Sequence, residues 1–330
     1  MKNNVGKLFK YLILIFGLVL LVIYSCKTGS IDLSFTQIAK GLFVEFDPDV
    51  AAVYDLRFPR IIIAIIAGAS LSVSGVLLQA VMQNPLTDPG IIGISAAASL
   101  ASKIVILITP TLFFIAPIFS IMGGILAYLI LYSLAWDRGT NPIRLILVGV
   151  ALSMTFSGIS QAISAISGGN LNTVQAIVEG NVAQKTWQDV KIMEIYGGIG
   201  LVASMFLGRS CDLLCLEDKT AKAIGVNVNR DRFIISIIAV ALASVATAIV
   251  GVIGFLGLLV AHIARIVVGS NHRYLIPFSA LLGGFILLGA DTLGRIIVYP
   301  YEISPSIIMT TICGPFFIVL LKVRGKKYGN

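Results

Sequence analysis

Residues 61–81, "IIIAIIAGASLSVSGVLLQAV", hold no charged side chain, and runs of this kind recur along most of the chain. About 20 apolar residues match the hydrocarbon thickness of a bilayer. Backbone N–H and C=O groups in hydrocarbon must be satisfied internally, so such runs fold as helices. The spans lie at roughly 8–26, 59–81, 91–108, 112–135, 143–166, 191–208, 232–251, 254–269, 275–298 and 306–323. The pattern predicts an all-α polytopic membrane protein with about ten transmembrane helices and one transmembrane domain, 1–330. Composition excludes an ordinary soluble domain: 57% of residues are apolar and 12% charged, against about 45–50% and about 25% in soluble domains.

The first span imitates a secretory leader, but Tyr24 precedes Ser25-Cys26 where a cleavage site needs small residues. It is read as an uncut first span. With the N-terminus inside, the inner segments are 1–10, 82–90, 136–144, 209–232, 265–274 and 322–330. They carry 16 of the 24 Lys and Arg residues and 6 of the 16 acids. Basic residues favour the cytoplasmic side, so the chain reads N-in, C-in. The net charge of +8 is thereby assigned to the membrane surface and not to nucleic acid.

Four segments carry more than hydropathy. In 54–95, Arg57 and Arg60 flank Phe58-Pro59 at the outer mouth of a span, where snorkelling arginines anchor helices. Gly68, Ser70, Ser72, Ser74 and Gly75 narrow the same helix for close packing. At its inner end, "NPLTDPG" (84–90) exposes polar backbone, which is tolerated at a membrane edge or beside a cavity. The inner run 216–225 is helix-like, with alternating charge and a stop at Gly225; a solvated loop helix and a partner-docking helix fit it equally. Asp291 and Arg295, four apart, share a helical face and are able to pair. Finally, "GFLGLLVAHIARIVVGSNHRYLIP" (254–277) gathers both histidines with Arg265 and Arg273. It reads as a short span, its inner exit and the next helix, with His262 a packed helix residue and His272 in a turn.

Several chemistries are missing from the sequence. It has no G-x-x-x-x-G-K-[ST] phosphate loop, no HExxH and no G-x-S-x-G. Cys211-x3-Cys215 supplies two thiols, short of a closed zinc site. Asp291 is the one clear intramembrane acid, whereas an ion-driven carrier ordinarily needs more such groups.

The ordered segments "LRFPR…GASLSVSGVLLQAVMQNPLTDPGIIGIS", "RLILVGVALS", "LCLEDKTAKAIGV", "GFLGLLVAHIARIVVGSNHRYLIP" and "ADTLGR…PYEISPSIIMTTICGPFFIVLL" resemble the FecCD-type permeases over roughly 54–322. These are membrane subunits of ATP-driven importers for iron-siderophores, haem and vitamin B12. The resemblance implies type II importer architecture with ten spans, in a bacterial cytoplasmic membrane. It implies a second permease subunit (identical or related), two cytosolic ATPases that use ATP, and an extracytoplasmic solute-binding protein. The chain itself is then no enzyme and binds no cofactor or metal.

By the same resemblance, Arg57, Arg60 and Arg295 correspond to arginines that dock the binding protein. Asn84 and Leu86, with Thr140 and Asn141, correspond to the cytoplasmic gate. Glu217, Asp218, Lys219, Thr220, Ala221, Lys222, Ala223, Ile224 and Gly225 correspond to the helix that couples to the ATPase. Ala261 stands where many relatives have Pro, and Asn181 where Ser is common. The expected cargo is siderophore-iron first, haem second and cobalamin third. The alternatives are a secondary carrier or channel working without an ATPase, and a membrane-embedded enzyme, which would need clustered His, Asp or Glu at one depth.

Overall fold

The structure, a computed structural model, describes residues 2–28, 37, 47–109, 114–135, 142–166 and 180–328, and only the backbone of 2–5, 142 and 319–328. Thr140 and Asn141 lie outside the described residues, as does most of the outer segment 29–46.

Among the described residues the chain is all helix: α1 Lys2–Lys27, α2 Pro48–Val81, α3 Ile94–Ile108, α4 Ala116–Ala135, α5 Pro142–Ile166, α6 Trp187–Met205, α7 Gly208–Leu214, α8 Asp218–Ala223, α9 Val228–Val250, α10 Leu256–Val268, α11 His272–Ile296 and α12 Pro305–Tyr328. By length and composition six of them can cross a membrane: α1, α2, α4, α5, α9 and α11. Helices α6 and α7, bent by 61° at their junction, count as one broken span or a re-entrant loop, and α3, α10 and residues 305–318 of α12 are shorter apolar helices.

Two spans differ from expectation. Helix α2 starts at Pro48, not at 59, so Arg57, Pro59 and Arg60 sit inside the helix and not at its mouth. The cause is local. Asp47 accepts a hydrogen bond from the Asp49 amide at 2.9 Å, Pro48 takes the first helical turn, and "VAAVYDL" continues the helix to the proline. At 34 residues α2 is about 50 Å long, longer than a bilayer core.

The span expected at 191–208 starts at Trp187, where Thr186 and Asp189 form a capping box. It passes through a π-helical turn, Met193–Gly197, and continues beyond its bend to Leu214. A polar capping signal thus extends a helix that hydropathy alone cuts short.

Helix α2 is the central element, packed on α11, α9 and α10. Its small residues do what their pattern predicts. A methyl group on Gly68 would lie 2.3 Å from the Gly283 carbonyl oxygen of α11, and one on Gly75 would lie 2.7 Å from the Gly257 Cα of α10. Backbones that close leave no space for any side chain. Ser74 Oγ donates to the Ala239 carbonyl of α9 at 2.6 Å, adding a polar tie on the third side.

Candidate functional site

Arginines gather at both ends of α2: Arg57 and Arg60 within its N-terminal half, and Arg232 of α9 and Arg265 of α10 against its C-terminal end. Near the N-terminal end of α2, α1 finishes at Lys27 and leaves its last carbonyls without helical partners, as every helix does. Arg57 Nη1 donates to the Cys26 carbonyl at 2.8 Å and the Lys27 carbonyl at 3.4 Å. Arg295 Nη1 donates to the carbonyls of Thr28, at 2.9 Å, and Ser25, at 3.3 Å, and Nη2 to Ser25 Oγ. Two cations therefore cap the negative end of α1.

Arg60 grips Asp291 of α11, with Nε 3.0 Å from both carboxylate oxygens and Nη2 2.8 Å from Oδ1. Its Nη1 reaches Glu302 Oε2 at 2.8 Å. Asp291 also meets Arg295 Nε at 3.4 Å, which is the pairing their spacing predicts. The three arginines predicted to dock a partner are thus brought together, but at 7–8% exposure and with intramolecular partners. Glu302, whose side chain is 46% exposed, is the accessible member of the cluster.

At its C-terminal end the chain leaves α2 through Met82 and Gln83, the latter at φ +48°. Asn84 is buried and Leu86 exposed; the Asn84 side chain accepts the Leu86 amide at 3.0 Å, holding the turn. Asp88 is fully buried and closes the loop twice. Its Oδ1 accepts the Gly90 amide at 2.9 Å, and its Oδ2 accepts the Leu258 amide of α10 at 3.1 Å. The first turn of α10 has no side-chain cap of its own, so Asp88 supplies one from another part of the chain. Burial pushes the Asp88 carboxyl up to about 6, the backbone N–H groups opposing it.

The predicted coupling helix is a single short element, α8, with Glu217 before it and Ile224-Gly225 after it. Gly225 at φ +84° stops it: the Gly225 amide bonds the Lys222 carbonyl and the Val226 amide the Ala221 carbonyl, the glycine-terminated helix end anticipated from sequence. Ala221 is its buried contact and the rest of its surface faces outward.

Two side chains tie this helix to α2 and its loop. Arg232 of α9 pairs with Asp218 through two bonds, 3.0 and 3.2 Å, and its Nε donates to the Val81 carbonyl at 3.3 Å. Gln83 Nε2 donates to the carbonyls of Leu214, at 2.7 Å, and Leu216, at 3.0 Å. Arg232 and Gln83 thus link α8, α9, the end of α2 and the chain between α7 and α8 through hydrogen bonds.

The histidine-rich stretch resolves into packing. His262 sits edge-on to Phe316 with ring centroids 6.2 Å apart. Arg265 bonds Gln79 of α2. His272 is not in a turn but is the buried first residue of α11, where Asp212 of α7 accepts both its backbone amide (2.9 Å) and lies 2.7 Å from Nδ1. Beside α8, Cys215 is exposed, whereas Cys211 and Cys313 are buried and Cys26 is half-buried; all four are free thiols.

Sequence reasoning missed Arg232, Gln83 and Glu302, whose partners lie far off in sequence. It also missed Lys103, a charge inside α3, although a lone ionisable residue in a span is a signal in its own right.

Residues 17–323 match the FecCD transport family. The chain is 39% identical over 320 residues to "Probable heme-iron transport system permease protein IsdF" from Staphylococcus aureus strains bovine RF122 / ET3-1 and Newman, covering 97% of both chains. It superposes on a solved metal-chelate type ABC transporter in an inward-facing conformation with a TM-score of 0.79 and 26% identity, covering 97% of this chain and 99% of the other. It shares a fold with PsaBC from Streptococcus pneumoniae, at a TM-score of 0.60 and 18% identity over 87% of this chain and 95% of that one.

Proposed function

The chain belongs to the FecCD transport family, and on that premise we propose that it is the permease subunit of an ATP-driven importer of an iron chelate. Haem now stands ahead of siderophore-iron, because the relatives that are 39% identical along nearly their whole length are named for heme-iron transport. Cobalamin stays third.

In this reading the six long helices, the bent α6–α7 pair and the three shorter helices make ten spans, with both termini in the cytoplasm of a bacterial cell. Positive-inside charge supports that orientation. A second permease subunit, identical or related, completes the pathway. Two cytosolic ATPases seat on α8, and a solute-binding protein delivers cargo at the outer end. Its carboxylates compete with Glu302 for Arg60 and extend the cluster of Arg57 and Arg295; exposed pairs of this kind serve orientation and on-rate more than affinity. The cytoplasmic gate is Asn84 and Leu86 with Thr140 and Asn141.

The observation that carries the reading is Arg232. One guanidinium holds Asp218 of the coupling helix and the last carbonyl of α2, while Gln83 ties the gate loop to the chain just before α8. A displacement of α8 by a partner is thereby passed to the gate loop through short polar links and not through a flexible loop.

The test is uptake by the assembled complex in proteoliposomes. ATP inside the vesicle-equivalent cytoplasmic side and the binding protein on the other should both be required for haemin accumulation. Uptake by this chain without ATPase or ATP would replace the proposal with the secondary-carrier reading.

A further inference from the structure

Helix α3 carries a single charge, Lys103, in "ISAAASLASKIVILI", and its side chain is 1% exposed. Its ammonium donates to the Ser160 carbonyl of α5 at 2.7 Å, to Ser160 Oγ at 3.3 Å and to Ser164 Oγ. The buried guanidiniums of Arg60, Arg232 and Arg295 each meet a carboxylate. Among the described residues, the ion pairs include none for Lys103, and its hydrogen-bond partners are neutral oxygens. A cation inside a span is costly, and such residues mark ion or substrate routes. Neutral oxygens solvate the ammonium without cancelling its charge, so the site keeps an attraction for an anion.

Beside it lies a cavity of about 170 Å³, lined by Ala96, Ser99, Ser157, Ser160, Gln161 and Val252. Ser160 belongs to both: it holds the ammonium and forms part of the cavity wall. The cavity adjoins the gate. Ser153 of α5 bonds the Gly90 carbonyl at 3.4 Å, and Gly93 faces Gly149 and Leu152 of the same helix. Ser157 and Ser160 lie one to two turns further along α5, about 6 and 10 Å beyond that contact. Helix α5 therefore packs against the gate loop and, next to that contact, presents hydroxyls and an amide to the cavity, while the charge of Lys103 reaches the wall from α3 through Ser160.

We propose that Lys103, with Ser157, Ser160 and Gln161, forms a subsite for a carboxylate of the cargo as it waits at the gate loop. This rests on the permease reading. Binding exchanges one or more serine oxygens on the ammonium for a carboxylate oxygen; no covalent step is involved. Charge-assisted hydrogen bonds are the stronger kind, and a passage otherwise lined by small and hydroxyl side chains gains selectivity for acidic chelates from this one group.

The test is equilibrium binding to the assembled permease in lipid nanodiscs, without ATP, followed through the Soret band. The probes are haemin, which has two propionates, and haemin dimethyl ester, which has none. The wild type should bind haemin about ten-fold or more tightly than the ester, as one charge-assisted bond predicts. Lys103→Met should bring the two affinities together by weakening haemin alone, and Lys103→Arg should retain the preference. If Lys103 merely staples α3 to α5, Lys103→Met shifts both probes equally or neither, and the proposal fails. Should Lys103→Met not assemble, Ser157→Asp sets a repelling carboxylate on the cavity wall and leaves the lysine in place. It should weaken haemin and spare the ester, and equal effects on the two overturn the subsite. Because binding is read without ATP, a complex that binds haemin selectively yet shows no ATP-driven uptake would refute the importer reading and leave the subsite standing.

Discussion

The two ends of α2 use the same side chain to opposite effect. Toward its N-terminal end, Arg57, Arg60 and Arg295 sit in a dense set of partners that includes the α1 carbonyls, Asp291 and Glu302. At its C-terminal end Arg265 bonds Gln79, and Arg232 spans from a buried carbonyl to Asp218, whose side chain is 43% exposed. A dense buried cluster resists change, because removing any member strands charge in a dry site. Where one partner of a pair is half-exposed, as Asp218 is, water can replace the bond to that partner when the pair opens, although Arg232 itself is buried. The N-terminal end of α2 is built as a fixed abutment, and the C-terminal end as a joint.

The contrast breaks most visibly at Asp291. Asp291→Asn leaves Arg60 and Arg295 buried without their shared carboxylate, and should lower stability by about 3–5 kcal/mol. Glu302→Gln, at the exposed rim of the same cluster, should cost about 0–1 kcal/mol. Thermal unfolding of the detergent-purified variants measures both; similar losses for the two would mean that the cluster is not closed.

Next in size, Gly68→Ala should destabilise by about 1–3 kcal/mol, since the added methyl meets the Gly283 backbone and overpacking forces the helices apart. The same assay reads it. A loss near zero would show that α2 and α11 separate easily, and that the abutment lies elsewhere.

Arg232→Ala sharpens the other half of the comparison. It should reduce haemin uptake about ten-fold while ATP hydrolysis by the complex persists, a ΔΔG‡ of about 1.4 kcal/mol. Parallel measurement of uptake and phosphate release decides it, and equal loss of both would mean that Arg232 holds the ATPase in place without transmitting its motion.

The smallest effect concerns pH. Since the Asp88 carboxyl is raised to about 6 in the folded chain from about 3.9 when unfolded, the folded state binds the proton first. This group's contribution to stability therefore rises as pH falls from 7 through 6 toward 4. Asp88→Asn should remove that rise in melting temperature between pH 7 and pH 5 and leave the remaining pH profile in place.

The fold was legible in sequence wherever a local pattern settles it. Gly68 and Gly75 announce close packing, Gly225 stops α8, and Asp291–Arg295 are paired by helical spacing alone. The start of α2 was misread because Pro59 looks like a boundary, whereas an earlier cap, Asp47, had already set the helix running. The chemistry of the site was less legible. Arg232 finds Val81 across 151 residues and Asp88 finds Leu258 across 170, and no local pattern encodes such meetings. Arg57, Arg60 and Arg295 were recognisable by position, yet their burial depends on where α1 ends, which periodicity does not reveal.

Cys215 stands exposed between Leu214 and Leu216, the two residues whose carbonyls Gln83 grips, while Cys211 and Cys313 are shielded. The chain therefore carries a native attachment point for a spectroscopic label at the joint itself. A maleimide spin probe or fluorophore there would report how α8 and the loop after α2 move relative to each other in the unmutated protein, with the half-buried Cys26 at the end of α1, far from it in the fold, as the internal control.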